Sequence, residues 1–523
     1  MRYEVCSLLA NAYLYAQRLK TGGKTINLNP SQEKAVNILL EVLRHQSKVP
    51  IGGVQGPPGT GKTTVIESFI YHGVSDYVQD IEGVIVYIAP TNHLAAQAFE
   101  RVVAVLLARD YTFRDIISIA RLYGSKITVK NCTKIFKQFK IRTQAPSSKE
   151  AKQIIYDNVD PDTVKIVFAT EYQRVSGRLT RKPDKIYLIV DEASKSPYYR
   201  AFISVADAII RFQDYPYTLV ALGDPEQAIT VPEAFRIRRV PLLMRKIGQI
   251  LEENGIQDKY VMLDTTYRLP KPSEEPISHG FYDDRLHAHE PASFRLKEVG
   301  ELFQDMRGRA EALIRNHVGW TGRLEKIFNA IYDAATTHRP IIILQTPYFK
   351  SESIAATYDK TRANLGILAS LVIEAFITEA ERAGSYSIPT TMVTAPYSDI
   401  VTNISFNYRQ KFGSITRQPR AATVHAVIGG ESDFIVTILG KEYSGSTIQS
   451  YWRPDDEYKT MYFKEPQVLN VQLSRHHKLL IIIGAVDKLA SCRSDPYTCK
   501  RISGTAQKLL DLSQTGEAIT INM

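Results

Sequence analysis

A glycine-rich segment early in the chain has the residue types and spacing of a phosphate-binding loop. Residues 56–63 form the sequence Gly-Pro-Pro-Gly-Thr-Gly-Lys-Thr, which is a complete GxxxxGK[ST] pattern. Its glycines let successive backbone N–H groups converge on phosphate oxygens without a Cβ in the way. Lys62 can reach the β- and γ-phosphates, and the Thr63 hydroxyl can bind Mg²⁺. The pattern therefore predicts a nucleotide site formed by Gly56, Gly59, Thr60, Gly61, Lys62, Thr63 and Thr64.

A pair of carboxylates follows the apolar run Ile186–Val190 much later in the chain. Asp191 is expected to hold Mg²⁺, directly or through water, and Glu192 is expected to polarise the attacking water. Gln227 follows the next apolar run, where its amide could sense the γ-phosphate. Together with the loop, these residues predict that the chain binds and hydrolyses a nucleoside triphosphate with Mg²⁺.

Two arginines and one glutamine could complete this site. Arg268 and Arg475 each offer a guanidinium group. An arginine that reaches across a domain cleft can stabilise the charge on a transferring phosphoryl group. Gln32 stands just before a predicted helix, and its amide can donate and accept at once, as the N6/N7 edge of adenine requires. The alternative is that this Asn- and Ser-containing segment only caps the helix.

Polar residues after two other apolar runs could contact nucleic acid. Pro90, Thr91 and Asn92 follow the run Val84–Ile88 at the start of a predicted helix, where they could hold a phosphate. Thr170 stands just past another predicted strand. These positions predict contacts to the backbone of a single strand.

A basic segment is the most uneven feature of the charge distribution. Between Arg121 and Lys152 there are nine basic residues and one acidic residue. Lys130, Lys134 and Lys137 recur at three- and four-residue spacing, so they could line one face of a helix. In an NTPase we interpret this face as a track for phosphates. The alternative is an ordinary solvated helix surface.

Short β-rich runs alternate with helical patterns along the chain, which is typical of parallel α/β sheets. The predicted strands of the first half are Val84–Ile88, Val164–Phe168, Ile186–Val190 and Thr218–Leu222. Those of the second half are Ile341–Leu344, Thr391–Val393, Phe434–Leu439 and Leu479–Ile483. Ligands in such sheets bind beyond the carboxyl ends of the strands, which is where the loop and the carboxylates fall. Two successive sets of strands predict two α/β domains.

Composition narrows the class of protein. The chain has 523 residues and a formal charge of +10, a modest bias towards polyanionic partners. No apolar run approaches the roughly 18 residues that a membrane span needs, so no membrane partner is expected. The apolar stretch Cys6–Ala16 predicts an amphipathic helix rather than a signal peptide. Four scattered cysteines predict neither a disulfide scaffold nor a zinc site, and they favour a reducing, intracellular location, cytoplasmic or nuclear.

The ordered set of motifs resembles the superfamily 1 helicases and, within them, the up-frameshift/senataxin-like group. The residues that carry the resemblance are Gly56–Thr64, Ala89–Asn92, Asp191–Ser194, Gly223–Gln227, Tyr267–Arg268, Phe281–Leu286, Ala395–Tyr397, Gly429–Glu431 and Leu469–Arg475. Single motifs among these are weak, whereas their order is specific, and the resemblance covers about residues 28–485.

The resemblance implies two tandem RecA-like parallel-sheet domains, with the nucleotide in the cleft between them and a single strand running across both. It places Gln32 near the base, Arg268 and Arg475 at the γ-phosphate, and Glu431 and Tyr358 with the nucleotide. Tyr358 could equally be a packing residue. Members of the group usually move 5′ to 3′, and we expect a monomer.

The implied domains have the following boundaries: an N-terminal helix at 1–28, a first RecA-like domain at 29–270 with a basic helical insertion at about 106–162, a second at 271–485 with a mostly helical insertion at about 290–338, and a tail at 486–523 with one short helix near 507–512. Since only 28 residues precede the first motif, the N-terminal barrel and zinc-rich domains of some relatives are not expected.

Several positions depart from the family pattern. Ile400 and Ile428 replace glutamines, so two amide contacts are missing, and Ser474 replaces a threonine but keeps the hydroxyl. His476 and His477 are unusual at their positions, and we expect them to be solvated or capping residues.

The function that the motifs and the resemblance together favour is an ATP-dependent helicase or translocase on single-stranded nucleic acid. Backbone-tracking grooves accept both DNA and RNA, so either polymer fits. A nucleic-acid-binding switch or clamp that uses ATP but unwinds little is the alternative, because the two glutamines are missing. A P-loop enzyme that ignores nucleic acid is a third hypothesis.

Overall fold

The computed structural model describes residues 3–21, 27–43, 50–69, 83–155, 158–195, 197–206, 210–211, 217–227, 242–349, 358–385, 387–427, 430–442, 465–491 and 496–523. Ile428, Gly429 and Cys492, which enter the sequence analysis, lie outside these ranges. The chain forms two compact units. The first comprises Met1–Pro57 and Gly61–Leu263, and the second comprises Pro58–Thr60 and Asp264–Met523.

Helices and short strands alternate in the first unit. Its helices are α1 (Val5–Thr21), α2 (Pro30–Leu43), α3 (Lys62–Phe69), α4 (Asn92–Ala108), α5 (Phe113–Ile119), α6 (Cys132–Gln138), α7 (Ser148–Ala151) and α8 (Leu243–Glu253). Its strands are β1 (Tyr3–Glu4), β2 (Ile51–Gln55), β3 (Val84–Ala89), β4 (Ala120–Tyr123), β5 (Ile127–Thr128), β6 (Ile166–Thr170), β7 (Ile186–Val190), β8 (Tyr217–Gly223) and β9 (Tyr260–Met262). Short 3₁₀ helices are Lys152–Ile155, Val175–Arg178, Ala193–Lys195, Tyr198–Val205, Pro225–Gln227 and Gln257–Lys259.

Seven strands of the first unit form one parallel sheet in the order β4-β6-β3-β7-β8-β2-β9. The three strands β3, β6 and β7 are buried at every position. Continuous apolar strands of this kind occur where helices cover both faces of a parallel sheet. The carboxyl ends of β2 and β7 carry the phosphate loop and the Asp191–Glu192 pair, as parallel α/β architecture requires.

The segment 106–162 is less helical than predicted. It contains α5, α6 and α7, but it also contains β4, which pairs with β6 at the edge of the main sheet. The prediction that three lysines share a helix face is also wrong, because α6 begins at Cys132 with Asn131 as its N-cap. Lys130 therefore precedes the helix, and only Lys134 and Lys137 lie on it.

A disulfide joins Cys6 of α1 to Cys132 of α6. Both residues are fully buried and pack with Ala151 in a small cluster of their own. The sequence analysis missed this pair because 126 residues separate the two cysteines and no pattern marks them as partners.

The second unit has the same alternation. Its helices are α9 (Glu275–Phe281), α10 (Ala292–Arg295), α11 (Lys297–His317), α12 (Gly322–Thr336), α13 (Lys360–Arg382), α14 (Ser398–Phe412), α15 (Gln467–Leu473), α16 (Val486–Ala490) and α17 (Pro496–Gln514). Its strands are β10 (Thr265–Thr266), β11 (His287–Ala288), β12 (Ile341–Gln345), β13 (Thr391–Ala395), β14 (Arg420–Thr423), β15 (Ser432–Ile438), β16 (His476–Gly484) and β17 (Ala518–Asn522).

Six of these strands form a second parallel sheet, in the order β14-β13-β15-β16-β12-β17. The predicted fold class, two tandem RecA-like parallel-sheet domains, is confirmed. The prediction of a tail with one short helix is wrong, since α17 spans 19 residues and β17 then pairs with β12 at the sheet edge. The end of the chain is thus part of the second core.

One helix of the second unit anchors that core. In α13, Phe376 stacks on Phe303 of α11 at a centroid distance of 4.1 Å and on Phe328 of α12 at 5.1 Å. Among the described residues, α13 is the one helix long and apolar enough to cross a membrane by length and composition. In the most apolar 18-residue window of α13, 89% is buried inside the protein, as in a core helix. The sequence predicted no such segment, because charged residues such as Glu374 interrupt the apolar run.

Candidate nucleotide and nucleic-acid sites

The phosphate loop connects β2 to α3 in the first unit. Gly59 and Gly61 adopt left-handed backbone conformations, with φ of 70° and 79°, which favour glycine. The Lys62 ammonium donates to the Gly56 carbonyl at 2.6 Å, so the lysine side chain lies back along its own loop. The tip Pro58–Thr60 belongs to the second unit, where the Gly59 carbonyl accepts from the Tyr267 N–H at 2.9 Å.

Gln32 lies against this loop. A Cβ on Gly61 would meet the Gln32 Nε2 at 2.7 Å, so a side chain larger than hydrogen at that position would displace the amide. The Gln32 Oε1 accepts from the Asn29 N–H at 3.1 Å, and the Asn29 Oδ1 accepts from the Gln32 N–H at 2.9 Å. The capping alternative is therefore correct for Asn29. The contact of Gln32 with the adenine stays a prediction.

The carboxylate pair directly follows β7, and both carboxylate oxygens of Asp191 accept hydrogen bonds. The Asp191 Oδ1 accepts from the Glu192 N–H at 2.8 Å, and its Oδ2 accepts from the Tyr87 hydroxyl at 2.7 Å. Glu192 adopts a left-handed conformation, with φ of 50°, which is uncommon outside glycine. A backbone conformation of this kind persists only where the surrounding structure holds the turn in place. Burial, followed by the neighbouring Glu192 charge, raises the pKa of Asp191. A cation bound at this position would oppose that rise.

Thr63 and Asp191 line one cavity, together with Glu67, Tyr87 and Arg101. A hydroxyl and a carboxylate are the hard oxygen ligands that Mg²⁺ prefers, so the predicted pair fits the ion. The described residues contain no group of three or more His, Cys, Asp or Glu that could hold a metal by themselves. A site with two protein oxygens agrees with the habit of Mg²⁺ of keeping waters and substrate phosphates as its other ligands.

Tyr87 is a site residue that the sequence analysis missed. It lies in the middle of the buried strand β3, with 2% of its surface exposed, and its hydroxyl reaches Asp191 across the sheet. A polar atom in an otherwise apolar strand was the available signal. Burial, and next the Asp191 charge, raises the pKa of Tyr87 well above its ordinary value, so the hydroxyl donates to the carboxylate.

Replacing Tyr87 by phenylalanine should therefore disturb the magnesium dependence of hydrolysis. A hydrogen bond to a charged group contributes about 1.5–3 kcal/mol, so we expect the Mg²⁺ concentration for half-maximal activity to change about 10-fold, with kcat at saturating Mg²⁺ changing less. Magnesium titrations of ATPase activity measure this. The matched control is Tyr217→Phe on β8, whose ring packs edge-on against Phe202. Equal magnesium titrations in all three proteins would contradict the role of Tyr87.

Gln227 is held close to the loop. Its Nε2 donates to the Asp224 Oδ2 at 2.7 Å, and the Gln55 Nε2 donates to the Asp224 Oδ1 at 3.2 Å. The Gly56 N–H donates to the Gly223 carbonyl at 2.9 Å, which ties the start of the loop to the same strand end. The structure thus brings the predicted sensor to the carboxyl end of β8, beside β2.

In the second unit, Arg268 is engaged by other protein groups. Its Nη2 pairs with the Glu431 Oε2 at 2.6 Å, and its Nη1 donates to the Ser474 carbonyl at 3.1 Å. His477 contacts the other Glu431 oxygen at 3.4 Å. The hydrogen bond to His477, with the Arg268 charge, lowers the pKa of Glu431 to about 2. Arg475 is buried beside Ser474, with 3% of its surface exposed.

His476 is not the solvated or capping residue that we predicted, whereas His477 is partly exposed, with 28% of its side chain accessible. His476 is fully buried, and its Nε2 lies 2.8 Å from the Ser273 hydroxyl. Burial lowers the pKa of His476 to about 3, so it is neutral in the folded protein. Tyr358, just before α13, packs against the core of the second unit, which agrees with the packing alternative.

The predicted nucleic-acid residues fall at two adjacent strand ends. Ala89 of β3 and Thr170 of β6 are register partners, so Pro90 and Thr170 leave the sheet side by side. Thr91 caps α4 by accepting from the Leu94 N–H at 3.3 Å, and the Asn92 amide lies 3.5 Å from the Ser125 hydroxyl. Lys130, Lys134 and Lys137 are all exposed, in the neighbouring segment that carries β4.

Two family models match the sequence, and each is described as an AAA domain. One matches residues 40–233 and the other matches residues 243–487. Matches to this pair are typical of superfamily 1 helicase domains. No curated protein matches the sequence.

The chain is also similar to solved helicase structures. The PRRSV helicase is 12% identical, with 88% of this chain and 56% of that chain covered and a TM-score of 0.31. The Pyrococcus furiosus Hef helicase domain is 14% identical, with 87% and 95% covered and a TM-score of 0.31. The DUF1998 helicase MrfA, solved with DNA, is 11% identical, with 90% and 50% covered and a TM-score of 0.38. The chain thus spans little more than half the length of the first of these proteins and half that of the third.

Proposed function

We propose that this protein is an ATP hydrolase that moves along single-stranded nucleic acid and unwinds duplexes, as a superfamily 1 helicase or translocase. The observation that carries the proposal is the cavity of the first unit that Thr63 and Asp191 line together. Thr63 ends the GxxxxGK[ST] pattern of the phosphate loop, and Asp191 follows β7 at the carboxyl edge of the same parallel sheet. The two AAA-domain matches support the same assignment.

The roles proposed within the first unit follow from the contacts described above. The loop amides and Lys62 bind the β- and γ-phosphates. To do so, the Lys62 ammonium exchanges its hydrogen bond to the Gly56 carbonyl for one to a phosphate oxygen. Thr63 and Asp191 would hold Mg²⁺, which would supply positive charge to the phosphate oxygens. Glu192 orients and polarises the attacking water, and Gln227 senses the γ-phosphate.

The second unit supplies the proposed arginines. Arg268 and Arg475 would stabilise the charge on the transferring phosphoryl group. Arg268 is ion-paired with Glu431, so its guanidinium has to exchange a carboxylate for a phosphate before it can act. We also propose that Glu431, once released from Arg268, contacts the nucleotide, as the resemblance implies, and that Gln32 binds the adenine edge.

Single-stranded nucleic acid is proposed to cross the first unit at the ends of β3 and β6. Pro90, Thr91, Asn92 and Thr170 lie there, with the N-terminus of α4 directed to the same edge. Helix N-termini and exposed N–H groups bind phosphates without reading bases. Movement from 5′ to 3′, and membership of the up-frameshift/senataxin-like group, are proposed from the resemblance alone.

The ATPase rate tests this proposal. We would measure the steady-state rate without polymer, with single-stranded DNA and with single-stranded RNA, at fixed salt. Strong stimulation by a polymer is the expected result, and it would identify the strand to use in an unwinding assay. A rate that is indifferent to both polymers would contradict a nucleic-acid motor.

A switch or clamp is a second candidate, and one observation favours it. Ile400, which stands where related helicases have a glutamine, is fully buried in the core of the second unit. That position therefore presents no amide to nucleotide or nucleic acid. Strand displacement on a tailed duplex separates the two functions, because a clamp would show stimulated hydrolysis without displacement.

The lysines near α6 give a separate prediction. Neutralising Lys130, Lys134 and Lys137 together should weaken binding and reduce the slope of log K against log [salt] by about 2, because each phosphate contact contributes about 0.7–0.9 to it. Binding titrations at several salt concentrations measure this slope. An unchanged slope would identify these lysines as an ordinary solvated surface.

A further inference from the structure

An exposed tyrosine emerges at the nucleic-acid edge of the first sheet. Tyr172 follows Thr170 by two residues, and 60% of its surface is exposed. The Glu171 N–H donates to the Ala89 carbonyl at 3.1 Å, so the pairing of β6 with β3 continues one residue past the strand. Tyr172 is the next residue, in the turn that follows the strand end where the proposed single-strand contacts begin.

A buried ion pair holds the Tyr172 ring in place. The Arg200 guanidinium lies 5.2 Å from the ring centroid, within the range of a cation–π contact. The Arg200 Nη1 in turn pairs with the Glu171 Oε1 at 2.8 Å, and the two side chains are only 15% and 6% exposed. The ring is thus oriented by groups beneath it while much of its apolar surface stays open to solvent.

The neighbouring strand end shows the same combination in a buried form. Tyr123, the last residue of β4, is register partner of Ala169 and carries Arg178 at 4.2 Å from its ring centroid. Only 3% of Tyr123 is exposed, so its ring cannot receive a ligand. Of these two tyrosines, Tyr172 is the one whose exposure fits a contact with an external aromatic group.

We infer that Tyr172 is a stacking platform for a base of the single strand, positioned by the Arg200–Glu171 pair. The inference rests on the proposed function and adds to it a contact with a base rather than with a phosphate. Aromatic side chains in strand-binding grooves accept any base, because every base has a π-face. Since Glu171 balances the charge of Arg200, the platform adds affinity without adding net charge at the site.

Because the Arg200–Glu171 pair carries no net charge, a binding experiment can distinguish the role of Tyr172 from the phosphate contacts proposed for Lys130, Lys134 and Lys137. The probes are a labelled oligothymidylate and an abasic oligomer of the same length, which keeps the phosphates and lacks the bases. Tyr172→Ala should lower the affinity for oligothymidylate about 10-fold, a typical loss for one stacked base, and leave the abasic oligomer unaffected. The slope of log K against log [salt] should stay unchanged, because no phosphate contact is lost.

Two variants control this experiment. Tyr172→Phe keeps the ring and should bind both oligomers as the wild-type protein does, which shows that the ring rather than the hydroxyl is required, while normal binding of the abasic oligomer by Tyr172→Ala excludes a simple folding defect. Tyr497→Ala removes a comparable ring in the second unit, where an exposed tyrosine lies 3.5 Å from the Arg501 guanidinium. It should leave both affinities unchanged.

The outcomes separate the platform from the function on which it rests. Equal losses on the two oligomers, or no loss on either, would overturn the platform while polymer-stimulated hydrolysis keeps the motor proposal. If Tyr172 served a protein partner instead, Tyr172→Ala would bind both oligomers normally, which also overturns the platform. A wild-type protein that binds neither oligomer, with an ATPase rate indifferent to polymer, would overturn the proposed function itself.

Discussion

Replacing Lys62 by alanine, or Glu192 by glutamine, is expected to abolish ATP turnover, with kcat falling by at least about 100-fold. The two changes should act on different steps. Lys62→Ala removes the cation that would neutralise the β- and γ-phosphates, so nucleotide binding should weaken as well. Glu192→Gln keeps the size of the side chain and removes the negative charge that polarises water, so the nucleotide should still bind.

Steady-state hydrolysis together with equilibrium binding of a fluorescent nucleotide separates these effects. Lys134→Ala, an exposed lysine of the same unit, is the matched control and should hydrolyse ATP at the wild-type basal rate without polymer. The melting temperatures of both site variants should stay close to that of the wild-type protein, because neither side chain is part of a hydrophobic core. Wild-type turnover in either variant would show that the site is wrongly assigned.

Replacing Arg362 by methionine is expected to destabilise the second unit by about 3–5 kcal/mol, because it leaves a buried carboxylate without its partner. Arg362 is fully buried and pairs with Glu442 at 2.6 Å. It also donates to the carbonyls of Leu439, Gly440 and Pro347 at 3.0–3.1 Å. Glu442 accepts from the N–H groups of Phe349 and Ala485. One ion pair thus ties together the segments that follow β12, β15 and β16.

Intrinsic tryptophan fluorescence can follow the unfolding of this variant. Trp320 packs against Phe328 of α12 in the second unit, so denaturant unfolding followed by its fluorescence reports on that unit. The double variant Arg362→Met/Glu442→Gln should recover part of the loss, since no charge is then left buried. Arg382→Met on the exposed end of α13 should cost about 1 kcal/mol or less. A similarly small effect of Arg362→Met would contradict the importance of the buried pair.

The sheets were predictable from the sequence where their strands are central. All eight predicted strands are present, because strands buried on both faces are continuous apolar runs. Strand β2 was missed because it contains Gly52 and Gly53, and the Gly53 position is small because the Tyr260 ring lies against it. Edge strands such as β14 are short and lack an apolar run, so periodicity could not detect them.

The site was predictable only in part. The loop could be located because glycine spacing is a local property of the chain, whereas Tyr87 meets Asp191 across 104 residues of sequence. The pairing of Arg268 with Glu431 and that of Arg362 with Glu442 likewise depend on how distant strand ends converge. Such contacts are set by topology and register, which residue types alone do not encode.

The position of β12 has a consequence for synthesis of the chain. This strand lies between β16 and β17, and both partners follow it in sequence, the second of them at Ala518–Asn522. In a nascent chain, the apolar segment Ile341–Gln345 therefore has both edges unpaired until β16 has left the ribosome. Its second edge stays unpaired until β17 has followed. Unpaired apolar edges recruit other chains, and parallel pairing over such distances is slow. Strand β2 of the first unit lies in the same way between β8 and β9, which also follow it in sequence, so both units should depend on chaperones during translation.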